Sequence, residues 1–406
     1  MILSPLIFRR APQFFFDTLF LIIKILRNQK KSFVEQFVVG LLFGLTLVQL
    51  PFSNICEAQE SNFDFIARYY DDSETQVISP HVNAKASILN DDVTVGAGYA
   101  MDIVTSSSAD VRSWASQGKI SDTRREVSGS LGANLEGGAL TVGVVVSDEN
   151  DYHSQTYSIG GSRDFFDKNT TVDLGLSMGN DHVQSSSDKG FDQVMKTGSM
   201  SVGITQVLNK ISLMQILYEY TIQSGYLASP YRAARIGQTD GSVIAISENV
   251  PNLRAKQDVT LKYIYYALGS SMATSTAVRL YWDNWGVRSI TLEPQLTRDF
   301  SKDFSMSLDF RYYRQTQSSF YKDKYDQTSL SPFLTGNKTL SEYWTGLVGI
   351  RPVLKLSYGW EIYGRVEYYM LKYTNFTDIG VPSNPNDDKL YGLTAQVFSL
   401  GILRNF

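Results

Sequence analysis

The sequence has a single cysteine, Cys56, and three histidines, His81, His153 and His182. One thiol excludes a disulfide framework, a cysteine-ligated zinc and a haem-attachment motif. Charged residues make up only 19% of the chain, below the level usual for a soluble domain. Neither sign dominates, with 37 Lys+Arg against 41 Asp+Glu and a net charge of -4. Residues 1–58 carry six bases and three acids, so 59–406 holds 37 - 6 = 31 bases and 41 - 3 = 38 acids, a net of -7. A chain without a basic surplus is a poor partner for nucleic acid. Long helical periodicity is missing after residue 60, which removes helical bundles from consideration.

What is plentiful is tyrosine and phenylalanine, 24 and 22 residues, gathered in segments that alternate with small or charged residues. Val172, Leu174, Leu176 and Met178 alternate with Thr171, Asp173, Gly175 and Ser177. Phe304, Met306, Leu308, Phe310 and Tyr312 alternate with Ser305, Ser307, Asp309, Arg311 and Tyr313. Trp360, Ile362, Val366, Tyr368 and Met370 alternate with Glu361, Arg365 and Glu367. A period of two with charges on one face only suits a strand between hydrocarbon and water.

Short turn signals recur: Asn90-Asp91-Asp92, Glu136-Gly137-Gly138, Asp167-Lys168-Asn169, Asn209-Lys210, Gly269-Ser270-Ser271, Ser301-Lys302-Asp303 and Ser357-Tyr358-Gly359. Between them lie connections of variable length near 106–121, 184–192, 224–255, 318–339 and 374–388, with tight ones near Asp151 and Trp285. Tight turns alternating with variable loops are the outer-membrane pattern. Fifteen strands follow from Gln76 to Phe406, and Asn62–Tyr70 supplies a sixteenth, which puts both termini at one end. Pro294 and Pro352 are the weak spots, since proline removes a ladder donor. The chain stops on Lys389–Phe406, where Phe398, Leu400, Ile402 and Phe406 share one face. That ending resembles the signal by which outer-membrane barrels engage their assembly machinery.

The fold class expected is all-β: a transmembrane antiparallel up-and-down barrel of about sixteen strands over 59–406. Val38–Leu50 is an apolar core preceded by Lys30 and Lys31, and Cys56-Glu57-Ala58 is small at both key positions of a cleavage site. Residues 1–58 therefore read as a leader and secretory signal peptide cut after Ala58. Outer-membrane lipids are the expected surroundings, and the outer membrane of a Gram-negative bacterium the expected location.

On the lumen face fall Glu219, Lys262, Arg279, Asp309, Arg311, Arg365 and Glu367. Mixed signs on facing strands suit a charged constriction that selects ions or solutes, or simply a salt-bridged, solvated wall. The long loop near 224–255 could narrow the pore, bind a partner or lie idle at the surface. His153 follows Asp148, Glu149 and Asp151, and His182 follows Asp181, but no spacing picks out a nucleophile, so no enzyme is expected. No metal or cofactor site is assigned. Asp148, Asp151 and His153, or the clusters Lys322–Asp326 and Asn386–Asp388, are the weak candidates for a cation.

Several stretches resemble the bacterial family catalogued as domain of unknown function 3570. They are Ser147-Asp148-Glu149-Asn150-Asp151-Tyr152, then Ser162-Arg163-Asp164-Phe165 with Asn169-Thr170-Thr171. Gly225-Tyr226 with Pro230-Tyr231-Arg232 follows, then Arg311-Tyr312-Tyr313, Gln315 and Phe320-Tyr321. In Glu248–Arg254 the family usually has a histidine before the proline, where this chain has Val250. Asp102–Ala109 departs from the family's Gly- and Pro-containing loop. The resemblance implies an outer-membrane barrel, and it marks Gly225, Tyr226, Pro230, Tyr231 and Arg232 as a loop for a ligand or partner. Family members are often encoded beside a small lipoprotein and a flavin-transferring enzyme. The resemblance thus implies a lipoprotein or flavoprotein partner and a link to envelope electron transfer. A porin-like conduit for small solutes is the first expectation; a scaffold or receptor of such a redox complex, which the resemblance implies, is the second, and a barrel hydrolase the third.

Overall fold

The computed structural model describes residues 61–72, 74–89, 91–106, 120–377 and 390–406. The leader, Cys56 and the cleavage site after Ala58 lie outside these residues, as do the loop 107–119 and the cluster Asn386–Asp388. In chain order the strands are β1 (Asn62–Asp71), β2 (Thr75–Ile88), β3 (Val93–Ser106), β4 (Ile120–Leu135), β5 (Gly138–Asp148), β6 (Tyr152–Phe165), β7 (Thr170–Gln184), β8 (Asp192–Asn209), β9 (Ser212–Gly225) and β10 (Ala233–Gly237). They continue as β11 (Val243–Ser247), β12 (Leu253–Ala267), β13 (Met272–Asp283), β14 (Arg288–Asp299), β15 (Phe304–Gln315), β16 (Tyr325–Asp326), β17 (Tyr343–Lys355), β18 (Trp360–Thr377) and β19 (Leu390–Asn405). All but β10, β11 and β16 form one closed antiparallel barrel, each strand beside its chain neighbour and β1 closing on β19. The sixteen strands expected from the alternation are the sixteen found.

Closure follows from pairing. An open sheet leaves two edges of unpaired N–H and C=O groups, and a barrel leaves none. Here Asn62 to Asp71 pair with Asn405 to Gln396 in unbroken register, and the Phe406 N–H donates to the Ser61 carbonyl at 3.0 Å. Both described ends therefore lie at the end of the barrel that carries the tight turns.

The apolar face points out. On β18, Val366 is 54% and Tyr368 51% exposed, while Glu367 between them is 8% exposed. On β7, Leu174, Leu176 and Met178 are exposed, whereas Asp181 is buried. The oily side chains thus surround the barrel, and the buried polar groups line its bore.

The tight turns close as the turn residues predict. Phe166, Asp167 and Lys168 all take positive φ between β6 and β7. Gly359, at φ +74°, lies so close to the Asn405 carbonyl that a Cβ would stand 2.2 Å from it, so only glycine fits there. Each weak-spot proline breaks one ladder and spares the other. Pro294 pairs with Thr276 on β13, and its gap falls on the β15 side between Leu292 and Gln295. Pro352 pairs with Met306 on β15, and its gap falls on the β18 side between Ile350 and Val353. A residue has one N–H, so losing it opens one side only.

The long connections depart from the plain loops expected. The connection after β9 contains β10 and β11, and the connection after β15 contains β16 and two short 3₁₀ turns, Gln327–Ser329 and Lys338–Leu340. The order β11-β10-β16 makes a second, three-stranded sheet, with β16 parallel to β10. Period-two patterning does not reveal a strand of two residues that pairs across some ninety positions of sequence.

Candidate functional site

All seven charged residues assigned to the lumen face lie on it, and most are paired. Glu219 of β9 stands opposite Asp258 of β12. Arg279 of β13 donates to both oxygens of Asp258, at 2.9 and 2.8 Å. Arg365 reaches Asp309 Oδ2 and Glu367 Oε1, both at 3.1 Å. Gln295 donates to the other Asp309 oxygen at 2.7 Å. Arg311 pairs with Glu293 at 3.0 Å. Lys262, between Gln215 and Ala277, has no ion pair among the described residues. These seven residues and their partners therefore form two triads, each of one guanidinium and two carboxylates, and a separate pair, leaving Lys262 alone among them.

Sequence reasoning missed Asp258 and Glu293. Both sit at the parity of the lumen face, Asp258 in phase with Lys262, and that phase was the available signal. Charged side chains also face the bore elsewhere: Arg124 and Glu126 on β4, Arg254 of β12 with Asp283, and Arg68 on β1. On strands β5–β8, Gly143, Ser158, Gly175, Ser177, Ser199 and Ser201 face the bore, with Asp173 and Asp181 on the same face of β7.

The loop end is spanned. The Tyr231 hydroxyl bonds Asp151, in the connection between β5 and β6, and accepts from the Ser186 N–H at 2.7 Å in the connection after β7. Four residues on, Arg235 of β10 binds Asp323 and donates to Thr377 Oγ1 of β18 at 3.0 Å. β18 lies nearly opposite β6 in the barrel order, so this segment crosses the mouth. It has its own apolar core of Ala234, Ile236, Tyr325 and Leu334. A second cluster, Trp285, Val287, Tyr321 and Leu340, seats the later connection on the rim. Glu248 ties the two connections together, accepting from the Ser229 N–H at 2.6 Å and from Thr335 Oγ1 at 2.6 Å. The result is a folded cap. Burial pushes the Tyr321 hydroxyl above the ordinary tyrosine range, and the Asp323 charge adds to this.

Beneath the cap, Asp122, Glu149 and Asp151 bring oxygens within 4.8 Å of one another. Burial holds the Glu149 carboxyl above the usual carboxylate range, Asp122 adds to the effect, and Arg124 opposes it. These atoms already have partners: Asn150 donates to Asp122 at 2.7 Å, and Tyr231 binds Asp151. The trio Asp148, Asp151 and His153 is not assembled. His153 pairs with Asp148 on the outward face, and Asp151 turns to Tyr231. His182 stands opposite His153 in the register and lies 3.1 Å from Asp192, while Asp181 faces the bore and binds Tyr152 and Ser154. In the Lys322–Asp326 cluster, Asp323 holds Arg235, and Asp326 caps the turn at Thr328.

The family described as a protein of unknown function, DUF3570, matches residues 113–195 and 188–399, more than half of the chain. The chain belongs to this family. Of the stretches that carry the DUF3570 resemblance, Gly225–Arg232 and Phe320–Tyr321 lie at the cap, while Ser162–Phe165 and Asn169–Thr171 flank the tight turn between β6 and β7. Gly225 ends β9 at φ +101°, where a Cβ would meet the Val194 carbonyl at 2.3 Å. Tyr226 packs edge-on against Phe191 with ring centres 5.3 Å apart. Pro230 precedes Tyr231, and the Arg232 carbonyl accepts from the Glu248 N–H at 3.1 Å. Val250 packs against the Trp285 cluster, an apolar setting that suits valine.

No curated protein matches the sequence. Among solved structures, the chain is similar to a bacterial polysaccharide outer membrane secretin at 10% identity and a TM-score of 0.48, covering 86% of this chain and 100% of that one. It is also similar to CdiB from Acinetobacter baumannii at 9% identity and a TM-score of 0.49, covering 85% and 60%. OmpT of Vibrio cholerae, an outer membrane protein, gives 8% identity and a TM-score of 0.41, covering 86% and 100%. Nothing about function follows from likeness at this level.

Proposed function

We propose that this DUF3570 barrel lies in the outer membrane of a Gram-negative bacterium and passes small hydrophilic solutes under control of its cap. One observation carries the reading: the outer face is apolar while the bore carries paired charges and small hydroxyls. A barrel of sixteen strands is wide enough to hold water. The turns and both described termini then face the periplasm, and the cap faces the exterior. The paired charges act as the filter, fixed in place by their mutual contacts.

Conductance of the purified protein in planar bilayers tests this. A current that changes on Arg311→Ala would support the conduit, and absence of any current, with the cap intact or removed, would end it.

The second reading, a scaffold or receptor for an envelope partner, has one observation in its favour. β11 is exposed along its whole length and pairs only on its β10 side. Such an edge can add a strand from another chain. Co-purification of a lipoprotein or flavoprotein would support that reading, although β11 lies at the end opposite the periplasm. His153 and His182 face outward beside carboxylates, and we assign them no catalytic role.

A further inference from the structure

One row of the lumen wall collects arginines. Rows of register partners run perpendicular to the strands, so in a tilted barrel they climb the wall. The row beginning at Ser307, near the turn after β14, passes to Arg351 of β17. Arg351 stands across from Arg365, between the pairs Ile350–Val366 and Val353–Tyr363. Arg365 pairs with Ser399 of β19, and Ser399 with Arg68 of β1. Three arginines thus occupy four successive positions.

Their partners are unequal. Arg365 spends its Nη2 edge on Asp309 and Glu367. Its Nε is buried and has no hydrogen-bond partner. The Ser399 hydroxyl next to it is likewise buried and unpartnered, in a residue 7% exposed. The third such atom in this wall, Asp309 Oδ2, already lies against Arg365. Arg68 has no carboxylate partner among the described residues and is exposed to the bore. Arg351 stacks on the Tyr363 ring at 5.0 Å and also has no carboxylate partner there. Two buried donors without an acceptor, beside a free guanidinium, form an incomplete hydrogen-bond set. Arg365 Nε can be satisfied only by an acceptor, and the Ser399 hydroxyl can donate to the same one.

We propose that Arg365, Ser399 and Arg68 form a seat for a small oxyanion, with Arg351 as the next cation toward the turns. An oxyanion would accept from Arg365 Nε, from the Ser399 hydroxyl and from the Arg68 guanidinium, which are the donor types that bind phosphate and carboxylate groups best. The proposal rests on the conduit reading and narrows it: the solute carries a phosphate or carboxylate group and moves along this wall.

Reversal potentials in a KCl gradient, with inorganic phosphate and acetate as added probes, test it. The expected result is a chloride preference that falls about threefold in Arg68→Gln/Arg351→Gln. Block of the chloride current by phosphate should weaken about tenfold in Arg68→Gln/Ser399→Ala. A stronger block by phosphate than by acetate would assign the seat to phosphate, and the reverse to carboxylate. Unchanged selectivity and unchanged block in both variants would overturn the seat while leaving the conduit standing. If no current passes at all, the conduit falls, and equilibrium dialysis of labelled phosphate and acetate against the folded barrel in detergent decides the seat separately. Binding that disappears in Arg68→Gln/Ser399→Ala would sustain it, and absence of binding to the wild type would overturn it.

Discussion

Arg235→Ala should release the cap without harming the barrel. Arg235 joins β10 to the far rim through three contacts: Asp323 Oδ1, the Asp323 carbonyl at 3.1 Å, and Thr377 Oγ1 at 3.0 Å. Its side chain is 22% and that of Asp323 24% exposed, so the pair is only lightly screened. Loss of a mostly buried, charge-assisted pair of this kind costs about 2–3 kcal/mol. Asp323 would stay bound to Thr377, through its hydroxyl at 2.6 Å and its N–H at 3.3 Å, so the loss falls on the link to β10. If the whole loss enters the balance between closed and open cap, the open fraction rises roughly 30- to 150-fold. No barrel ladder is touched, so the heat-induced unfolding transition seen on gels should not move. Open probability in planar bilayers and protease cleavage within 226–252 should both increase, and Arg235→Lys, which keeps the charge but loses the planar fork, should fall between. Wild-type opening and cleavage in Arg235→Ala would refute the crossing of the mouth as the closing element.

Tyr231→Phe removes the hydroxyl that binds Asp151 and Ser186, so cleavage within 226–252 should rise through a loss of about 1–2 kcal/mol, smaller than for Arg235→Ala. Arg365→Ala leaves Asp309 and Glu367, both 8% exposed, without their shared cation, and the unfolding transition should drop by about 2 kcal/mol or more, allowing for the partial exposure of Arg365. The Glu149 carboxyl is held above its usual range, so its favourable contribution is complete below its unfolded pKa and is lost as pH rises through the folded one. Glu149→Gln should therefore protect the rim connection from proteolysis at neutral pH and flatten the pH dependence seen in the wild type. Phe406 pairs its N–H with Ser61 and lies under the Arg404 guanidinium at 4.5 Å, and Phe406→Ala should lower the amount of barrel recovered from the outer membrane.

The sequence by itself determined the barrel. Alternation in segments such as Phe304–Tyr313 fixes which side chains meet lipid and which meet the bore, because a strand has a period of two whatever its neighbours do. The spacing of turn residues then sets the strand count, and parity alone places Arg279, Asp309, Arg365 and Glu367 in the lumen. Only the tertiary structure decided who pairs with whom. Arg365 meets Asp309 from two strands away, and Glu293 becomes the partner of Arg311, because register between strands depends on turn lengths summed around the whole circle. The cap lay further out of reach. Tyr231 and Asp151 are eighty residues apart, and Arg235 and Thr377 more than one hundred and forty, with no local period to announce either contact. A loop's course is set by the partners it finds after the barrel has closed, and those partners are defined by space, not by sequence distance.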